Sequence, residues 1–536
     1  MCIIILNKKF ILLMKQFLKN AGKDIPASIV VFLVALPLCL GVAQASGAPL
    51  FSGLIAGFIG GIVVGSLSGS HLSVSGPAAG LTTIVGAAIL KLPSFEVFLL
   101  AVFVCGILQL LLGLIKAGFI GDYVPSGVIK GMLAAIGLIL ILNQFPHLLG
   151  DDSHFEIDDD VPAAKGDSGP FKIFINFFNS FKHIHYTAIV IGGVCLIFHF
   201  IWEKIVSRQG GFLKLVPAPF LVVIIGVVAN SFIPATMLEG PLTGQHLVYI
   251  KPAESVKDFF SFFTFPDFSH FFNSTVLVTG ATLAIVASLE TLLSIEAVDE
   301  LDPYQRVTNK DRELRAQGVA NMFSGLVGGL PVTSVIVRSS ANVNAGAQTK
   351  LSAIMHGMLL LLCVAFIPNI LNLIPKAALA AILIYTGYKL AKPSLFKIFY
   401  AKGWDQFIPF VVTIAAILLT DLLKGVLIGI AVGLFFIMRS NFKSSVFIVN
   451  DAHKFLVRLR KDVSFLNKPI IKNRLETIPE NSTVIIDATR ADFIDKDVIE
   501  VINDFMQHAH LKNITVEIKK SDNKSMHLLF NEQPVI

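Results

Sequence analysis

Charged residues are scarce in this chain. Asp, Glu, Lys and Arg together supply 15% of its 536 residues, while hydrophobic residues supply 54%. About a quarter of the residues of a soluble globular protein are charged, so this composition excludes that class and predicts a polytopic membrane protein. The charges gather between apolar runs and towards the C-terminus, which indicates a membrane part followed by a second domain.

The sequence also lacks the signatures of disulfide frameworks, metal sites and enzymes. Its five cysteines are dispersed, mostly inside apolar runs and without Cys-x-x-Cys spacing, so we expect packing thiols. It has no P-loop, Rossmann fingerprint, His-Glu-x-x-His sequence or nucleophile elbow. We therefore expect no enzyme, no cofactor, no metal site and no nucleic-acid partner.

Apolar runs near the length that crosses a bilayer, about 20 residues, recur along the chain. Three of them, at 74–90, 316–330 and 332–346, are interrupted by Gly, Pro, Ser or Thr. With these three the count is fourteen, which places both termini on one side, and Lys and Arg then collect on that side as expected for the cytoplasm. The uninterrupted runs are 27–46, 50–68, 95–115, 124–142, 185–206, 215–234, 274–297, 352–373, 376–391, 404–421 and 423–440.

Two charged segments, one basic and one acidic, fit this topology. Residues 1–24 carry lysines within an apolar stretch and no small-residue cleavage site, so we expect a cytoplasmic segment that is not a removed signal peptide. Either Met1 or Met14 is its start. The acidic segment 151–160 falls in an outer loop, and because its spacing matches no EF-hand we interpret it as a solvated loop.

The interrupted runs at 74–90 and 332–346 have similar chemistry. "SVSGPAAGL" and "GGLPVTSVIVRSS" each combine glycine, proline and small or hydroxyl residues. They are the third and tenth elements, and an offset of seven reverses orientation in the membrane. The pattern predicts two inverted seven-element repeats with a substrate site between two discontinuous helices; a kinked helix packed by small residues is the alternative.

A helix that starts inside the membrane exposes backbone N–H groups and the positive end of its dipole. Two such starts can hold an anion. Proline suits the first helical position, so the first helix is predicted to be entered at Pro77 and capped by Ser75 or Gly76. The second is predicted to begin around Thr333 and Ser334.

A single carboxylate lies in the middle of the eighth run. Glu290 stands in "AIVASLETLLSIEAV", and Ser294 follows one helical turn later on the same face. Intramembrane carboxylates mark ion or proton pathways, so both residues are candidates for the coupling-ion site. The alternative is a structural pair between Glu290 and Arg338.

From Asn441 the chain alternates short strands with helical stretches, which predicts a small α/β domain at 441–536. Expected strands include "SSVFIVN", "HKFLVRLR", "TVIIDAT" and "NITVEIK", and expected helices lie near 465–476 and 496–510.

Two stretches of the chain carry a resemblance. Residues 36–81 contain "LPLCLGVAQASGAPL" and "LSVSGPAAGL", and residues 286–354 contain "RELRAQGVANMFSGLVGGLPVTSVIVRSS". Both stretches resemble the SulP sulfate permease family of anion transporters. The resemblance implies a uracil-permease-like fold at 25–440, in which a core of elements 1–4 and 8–11 moves in an elevator-like manner against a gate of elements 5–7 and 12–14. It also implies a homodimer in the bacterial inner membrane with both termini cytoplasmic. The segment "IIDATRADFIDKDVIEVINDF" resembles a cytoplasmic STAS domain, without the phosphorylatable serine of its signalling relatives.

Matching the family's motifs residue by residue implies an anion site. Arg338 stands where relatives have an arginine that acts on the anion directly or through its field, and Glu290 stands where relatives coordinate sodium or affect proton coupling. Sodium-using relatives have a hydroxyl residue at the position of Ile336, so a proton is favoured. The implied anion-binding residues are Ser75, Gly76, Pro77, Ala78, Ala79, Thr333, Ser334, Val335 and Arg338.

Several functions remain open at this point. Sulfate is the family's default substrate, and bicarbonate, with proton or sodium coupling, is the main competitor. A passive anion channel or exchanger has the same site residues. A nucleobase symporter would need a second carboxylate, and none occurs between Leu330 and Leu351. A STAS-centred signalling protein would not need two intact half-helix motifs.

The topology can be tested by labelling intact cells. The even number of predicted crossings puts both termini on one side, and the distribution of Lys and Arg makes that side the cytoplasm. A tag at either terminus should therefore be inaccessible to impermeant reagents, whereas an Asp158→Cys variant should be labelled from outside. External labelling of a C-terminal tag would contradict fourteen crossings.

Overall fold

The computed structural model describes residues 2–152, 172–182, 184–209, 216–234, 236, 239–251, 256–420, 422–451, 453–521 and 529–530. Beyond its first two residues, the predicted acidic loop at 151–160 lies outside them. The chain forms two compact units. The first contains Met1–Ala401 and Pro409–Ile430, and the second contains Lys402–Ile408 and Ala431–Ile536.

Helices dominate the first unit because an apolar segment in a membrane must satisfy its backbone groups internally. A π-helical turn, Gly60–Val64, joins α2 to α3, and a 3₁₀ turn, Ala79–Leu81, leads into α4. The elements of its N-terminal part are α1 (Cys2–Ala45), α2 (Leu50–Ile59), α3 (Gly65–Leu67), β1 (Ser75–Pro77), α4 (Thr82–Lys91), α5 (Phe95–Leu114), α6 (Ser126–Leu149), α7 (Lys172–Asn179), α8 (Tyr186–Gln209) and α9 (Ala218–Phe232).

The following part of the chain continues the helical pattern with one more short strand. Its elements are α10 (Val256–Ser261), α11 (Ser274–Leu301), α12 (Lys310–Val327), β2 (Val332–Ser334), α13 (Ile336–Asn344), α14 (Leu351–Phe366), α15 (Pro368–Leu371), α16 (Lys376–Leu390), α17 (Pro393–Ala401), α18 (Trp404–Leu419) and α19 (Leu422–Ser445).

The apolar runs of the sequence correspond to these helices. Among the described residues, seven helices are long and apolar enough to cross a membrane, and four shorter apolar helices accompany them. Of the three remaining predicted runs, 332–346 and 376–391 contain α13 and α16, whereas 316–330 overlaps α12, which begins earlier, at Lys310. The prediction of a polytopic helical membrane protein is confirmed.

Glycines allow several of these helices to approach each other closely. A Cβ built on Gly137 in α6 would lie 2.5 Å from the carbonyl oxygen of Gly387 in α16, and a Cβ on Gly387 would lie 2.5 Å from the carbonyl oxygen of Gly137. Small residues are the usual means of helix association in membranes, where the hydrophobic effect does not drive it. Two further glycine pairs meet in this way: Gly106 with Gly318, and Gly61 with Gly357.

The second unit contains a mixed four-stranded sheet in the order β3–β4–β5–β6. β3 runs antiparallel to β4, and the other neighbours are parallel. Buried aliphatic residues of the strands and of the helices beside them, such as Val457, Ile486 and Ile502, form the core of this unit. The predicted α/β pattern is confirmed, with β3 (Val446–Asp451), β4 (Lys454–Val463), α20 (Lys468–Glu476), β5 (Thr483–Ile494), α21 (Lys496–His508) and β6 (Thr515–Lys519).

The cysteines whose side chains are described are free, buried thiols. Each of them lies within a helix, in α1, α5, α8 or α14. The expectation of packing thiols is confirmed for these four, which are Cys39, Cys105, Cys195 and Cys363.

Adding one methyl group should separate tight from loose helix contacts. Gly137→Ala forces α6 away from α16, and overpacking of this kind costs about 1–3 kcal/mol, so the thermal unfolding midpoint in detergent should fall. Gly193→Ala in α8 is the control, because its Cβ would meet nothing within 4 Å. Equal midpoints for the two variants would contradict the close contact.

Candidate functional site

The two interrupted elements meet as a short two-stranded ribbon. β1 and β2 are antiparallel, with Ser75 opposite Ser334 and Pro77 opposite Val332, and all six residues of the two strands are buried. Extended backbone is tolerated at membrane depth only where protein or a water-filled cavity covers it. Each strand is therefore the other's partial cover.

This pairing corrects the predicted helix starts. Pro77 does not enter a helix but lies in β1, and the 3₁₀ turn begins at Ala79 with Ala78 as its extended N-cap. Thr333 and Ser334 likewise lie in β2, and α13 begins at Ile336 with Val335 as its N-cap. The prediction was wrong because it weighed local helix-start preferences and could not include the partner strand that holds these residues extended.

Both half-helices begin without a capping side chain. Neither Ala78 nor Val335 has a side-chain oxygen, and no side-chain cap bond is present at either position. The first-turn N–H groups of a helix have no intrahelical acceptor, and they carry the positive end of the dipole. An anion placed there would supply an acceptor for first-turn N–H groups at both starts, beside Glu290, which accepts the N–H of Gly80 at the first of them.

The ribbon sets the distance between these starts. The 3₁₀ turn before α4 follows β1 at the end where β2 begins, and α13 follows β2 at the end where β1 begins. Three residues of extended chain span roughly 10 Å. Among the sequence-predicted anion residues, Ala79 and Val335 are half-exposed and the others are buried, so these two mark the open side.

Arg338 lies in the first turn of α13 and is fully buried. Its Nη2 donates to the carbonyl oxygen of Pro77 at 3.1 Å, whereas Nε and Nη1 have no hydrogen-bond partner among the described residues. A Cβ on Gly76 would collide with the guanidinium, so the charge lies directly against β1. It is placed to raise the potential at the ribbon rather than to line its open side.

Glu290 lies on α11 beside the first half-helix. A Cβ built on Gly80 would be 2.5 Å from Oε1 of Glu290, and Oε2 is buried without a hydrogen-bond partner in the described part of the chain. No ion pair within 4.0 Å joins Glu290 to Arg338 in that part, so the alternative of a structural pair is not the observed arrangement. Ser294 is buried one turn along the same helix.

A polar stripe on α12 supports the ribbon, and the sequence reasoning missed it. Asn321 satisfies both backbone groups of Val332, donating Nδ2–H to its carbonyl oxygen at 2.9 Å and accepting its N–H at 2.6 Å. Gln317 donates from Nε2 to Ser75 Oγ at 2.7 Å. Gln317 and Asn321 are four residues apart, which puts both on one face of the helix. This spacing could have indicated a polar helix face, but the prediction considered only the apolar character of the run.

Other buried polar groups extend this support to neighbouring helices. Gln109 accepts from Asn321 at 2.6 Å and donates to Ser288 of α11 at 3.3 Å. Ser73 and Ser334 share a hydroxyl hydrogen bond of 2.5 Å. Buried polar networks of this kind hold a unique geometry when their groups are satisfied.

The loop that leads into β1 lies in a charged setting. His71 borders a cavity of about 320 Å³ together with Asp302 and Arg306. Burial and the charges of Arg306 and Lys350 lower the pKa of His71. Arg306 forms a two-pronged ion pair with Asp302, at 2.6 and 3.2 Å.

Comparisons with known proteins agree with this geometry. Residues 22–413 match the sequence model described as the sulfate permease family. The putative sulfate transporter YvdB of Bacillus subtilis is 26% identical over 96% of this chain and 93% of its own length. The bicarbonate transporter BicA of Picosynechococcus sp. is 25% identical over 72% of this chain and 64% of its own length. The solved structure of SLC26A9 has the same fold, with a TM-score of 0.76 and 16% identity over 96% of this chain and 86% of that one.

A bulky side chain at the open side tests the site. Val335→Trp should block the space between the half-helix starts and weaken the binding of sulfate and of bicarbonate by more than about tenfold. The reason is that the pocket cannot hold an indole ring and an anion at the same time. Asn344→Trp, at the exposed far end of α13, is the matched control. Titration of the purified proteins measures both, and unchanged binding by Val335→Trp would place the site elsewhere.

Proposed function

The chain belongs to the sulfate permease family, and on that premise we propose that it is a secondary active transporter of inorganic anions, with sulfate as the favoured substrate. The observation that carries the proposal is the pair of uncapped helix starts on either side of the β1–β2 ribbon. Arg338 adds one full positive charge behind the ribbon. The family and the structural neighbours are transporters and not enzymes.

Sulfate and bicarbonate are both compatible with this chemistry. Backbone dipoles and hydroxyl groups recognise an anion mainly through its size and the cost of removing its water. The match to a putative sulfate transporter covers 96% of the chain, which favours sulfate, and the match to a bicarbonate transporter covers 72% of it, which makes bicarbonate the alternative. A passive anion channel or exchanger is the second alternative.

We assign the coupling step to a proton carried by Glu290. Its carboxylate touches the first half-helix at Gly80, its Oε2 has no hydrogen-bond partner among the described residues, and Arg338 does not pair with it. A change in its charge is thus felt at the anion site. The side chain of Ile336 has no oxygen to offer a sodium ion, which makes sodium the less favoured coupling ion.

The proposed architecture is a 7+7 inverted repeat of a core and a gate. Such a repeat relates α2 to α12, α5 to α14 and α6 to α16. The glycine contact between the α2 region and α14 then corresponds to the contact between α12 and α5, and the reciprocal Gly137–Gly387 contact corresponds to itself. The antiparallel ribbon has the same self-symmetry, and an elevator-like movement of core against gate would carry it across the membrane.

The remaining proposals concern the surroundings. Residues 25–440 are the transporter domain, and residues 441–536 are a STAS-like cytoplasmic domain, for which the mixed sheet with two flanking helices is the support. The protein is proposed to be a homodimer of the bacterial inner membrane, with residues 1–24 and the C-terminus in the cytoplasm.

The substrate is decided by uptake into proteoliposomes. Labelled sulfate and bicarbonate should each be offered with and without a proton or a sodium gradient. We expect sulfate accumulation that requires the proton gradient. Accumulation of bicarbonate alone would select the alternative, and flux that never exceeds equilibrium would select the passive channel or exchanger.

Replacing Glu290 tests the coupling. Glu290→Gln keeps the size but cannot change charge, so gradient-driven accumulation should collapse while anion exchange survives, because a gradient acts only through a group whose affinity differs between states. Glu296→Gln is the control on the same helix, since Glu296 is exposed and pairs with Lys310 at 3.3 Å. Accumulation at the wild-type level by Glu290→Gln would refute the assignment.

A further inference from the structure

Residues 256–272, which we call the phenylalanine segment, contain eight phenylalanines in seventeen positions. The segment includes the short helix α10 and a 3₁₀ turn at Phe268–His270, and it leads directly into α11. Its helical parts, of six and three residues, are too short to cross a bilayer, and the proposed anion site makes no use of the segment.

Aromatic contacts fasten one side of the segment to the membrane helices. The rings of Phe259, Phe262 and Phe263 surround that of Phe51 in edge-to-face geometry, with centroids 5.6–6.1 Å apart. Phe268 packs on Phe103 of α5 in the same way at 5.6 Å. Such pairs stabilise by about 0.5–1.5 kcal/mol each beyond their area burial, so the segment is fixed in place.

The helices that hold the segment reveal its depth. The segment contacts α2 at Phe51, next to Leu50, the first residue of that helix. The N–H of Asp267 donates to the carbonyl oxygen of Glu96, in the first turn of α5, at 3.3 Å. α11 starts at Ser274, just after the segment. Three candidate membrane spans thus begin beside it, which places it where hydrocarbon meets headgroups.

The other side of the segment is apolar and open. Phe260 is 64% exposed, Phe265 is 65% exposed and Phe272 is 90% exposed. Two polar side chains of the segment, Asp267 and His270, form a hydrogen bond with each other at 3.1 Å. Apolar rings at the ends of spanning helices are positioned to enter the boundary between headgroups and acyl chains.

We propose that the phenylalanine segment is a lipid-binding anchor, whose exposed rings insert into the interfacial layer of the bilayer on the side where α2, α5 and α11 begin. The partner is a zwitterionic lipid surface, since the contact is made by rings that carry no charge. In the conformation of this structure, the anchor stabilises the position of α2 and α5 relative to the bilayer surface.

A tryptophan scan of the full-length protein in phosphatidylcholine nanodiscs tests the anchor. Trp202 and Trp404, the two native tryptophans, are first replaced by Phe. Phe260→Trp and Phe272→Trp then report on the segment, and Phe493→Trp reports on a ring of the second unit that is 45% exposed. Two reporters guard against the loss of one variant through misfolding.

Fluorescence quenching separates the possible surroundings. We expect phosphatidylcholine brominated near the top of its acyl chains to quench the two segment reporters at least twofold more than Phe493→Trp, and aqueous acrylamide to quench them less. Strong acrylamide quenching without bromolipid quenching would show rings in water and overturn the proposal. Protection from both quenchers would show a protein partner, such as a second copy, and would overturn it equally.

A functional consequence follows if the proposed transport movement takes place, and it rests on that proposed function. A Phe260→Ser, Phe265→Ser, Phe272→Ser variant should lose part of the dependence of anion uptake on lipid chain length, because fewer rings resist displacement of α2 and α5. Unchanged dependence together with strong bromolipid quenching would refute this consequence alone and leave the anchor in place.

Discussion

An extended backbone inside a membrane has to find its hydrogen-bond partners within the protein, and the β1–β2 ribbon is how this chain does so. Each strand covers the other, and Asn321 satisfies both backbone groups of Val332 from the side. The cost of leaving such groups bare in hydrocarbon is several kcal/mol each. The helix α13 follows β2, α4 follows β1 after a 3₁₀ turn, and α2, α11 and α12 pack against the ribbon.

Close approach to the ribbon is possible because glycine occupies the contact positions. Gly60 in the π-helical turn lies on the backbone of Ser75, Gly76 leaves room for the guanidinium of Arg338, and Gly80 leaves room for the carboxylate of Glu290. A methyl group at any of the three would meet backbone or a charged group. Arg338 and Glu290 therefore contact the first interrupted element four residues apart, at Gly76 and Gly80, without pairing with each other.

Helix packing around the site uses the same chemistry at a larger scale. Glycine pairs bring α6 to α16, α5 to α12 and the α2 region to α14 at distances that exclude a side chain. In lipid, such contacts replace the hydrophobic driving force with dispersion and complementary shape.

The sequence by itself determined the membrane class, the helical runs, the change to an α/β domain after the last helix and the identity of the two interrupted elements, because hydropathy and glycine or proline content are local properties. It also singled out Arg338 and Glu290, since charges in apolar runs are conspicuous. Only the tertiary structure decided that Pro77, Thr333 and Ser334 are extended, that Gln317 and Asn321 hold the ribbon, and that the two charges do not pair. Each of these features depends on a residue that is far away in the sequence or lies on another element. The hydrogen bond gained from such a partner outweighs the local preference of the sequence for a helix.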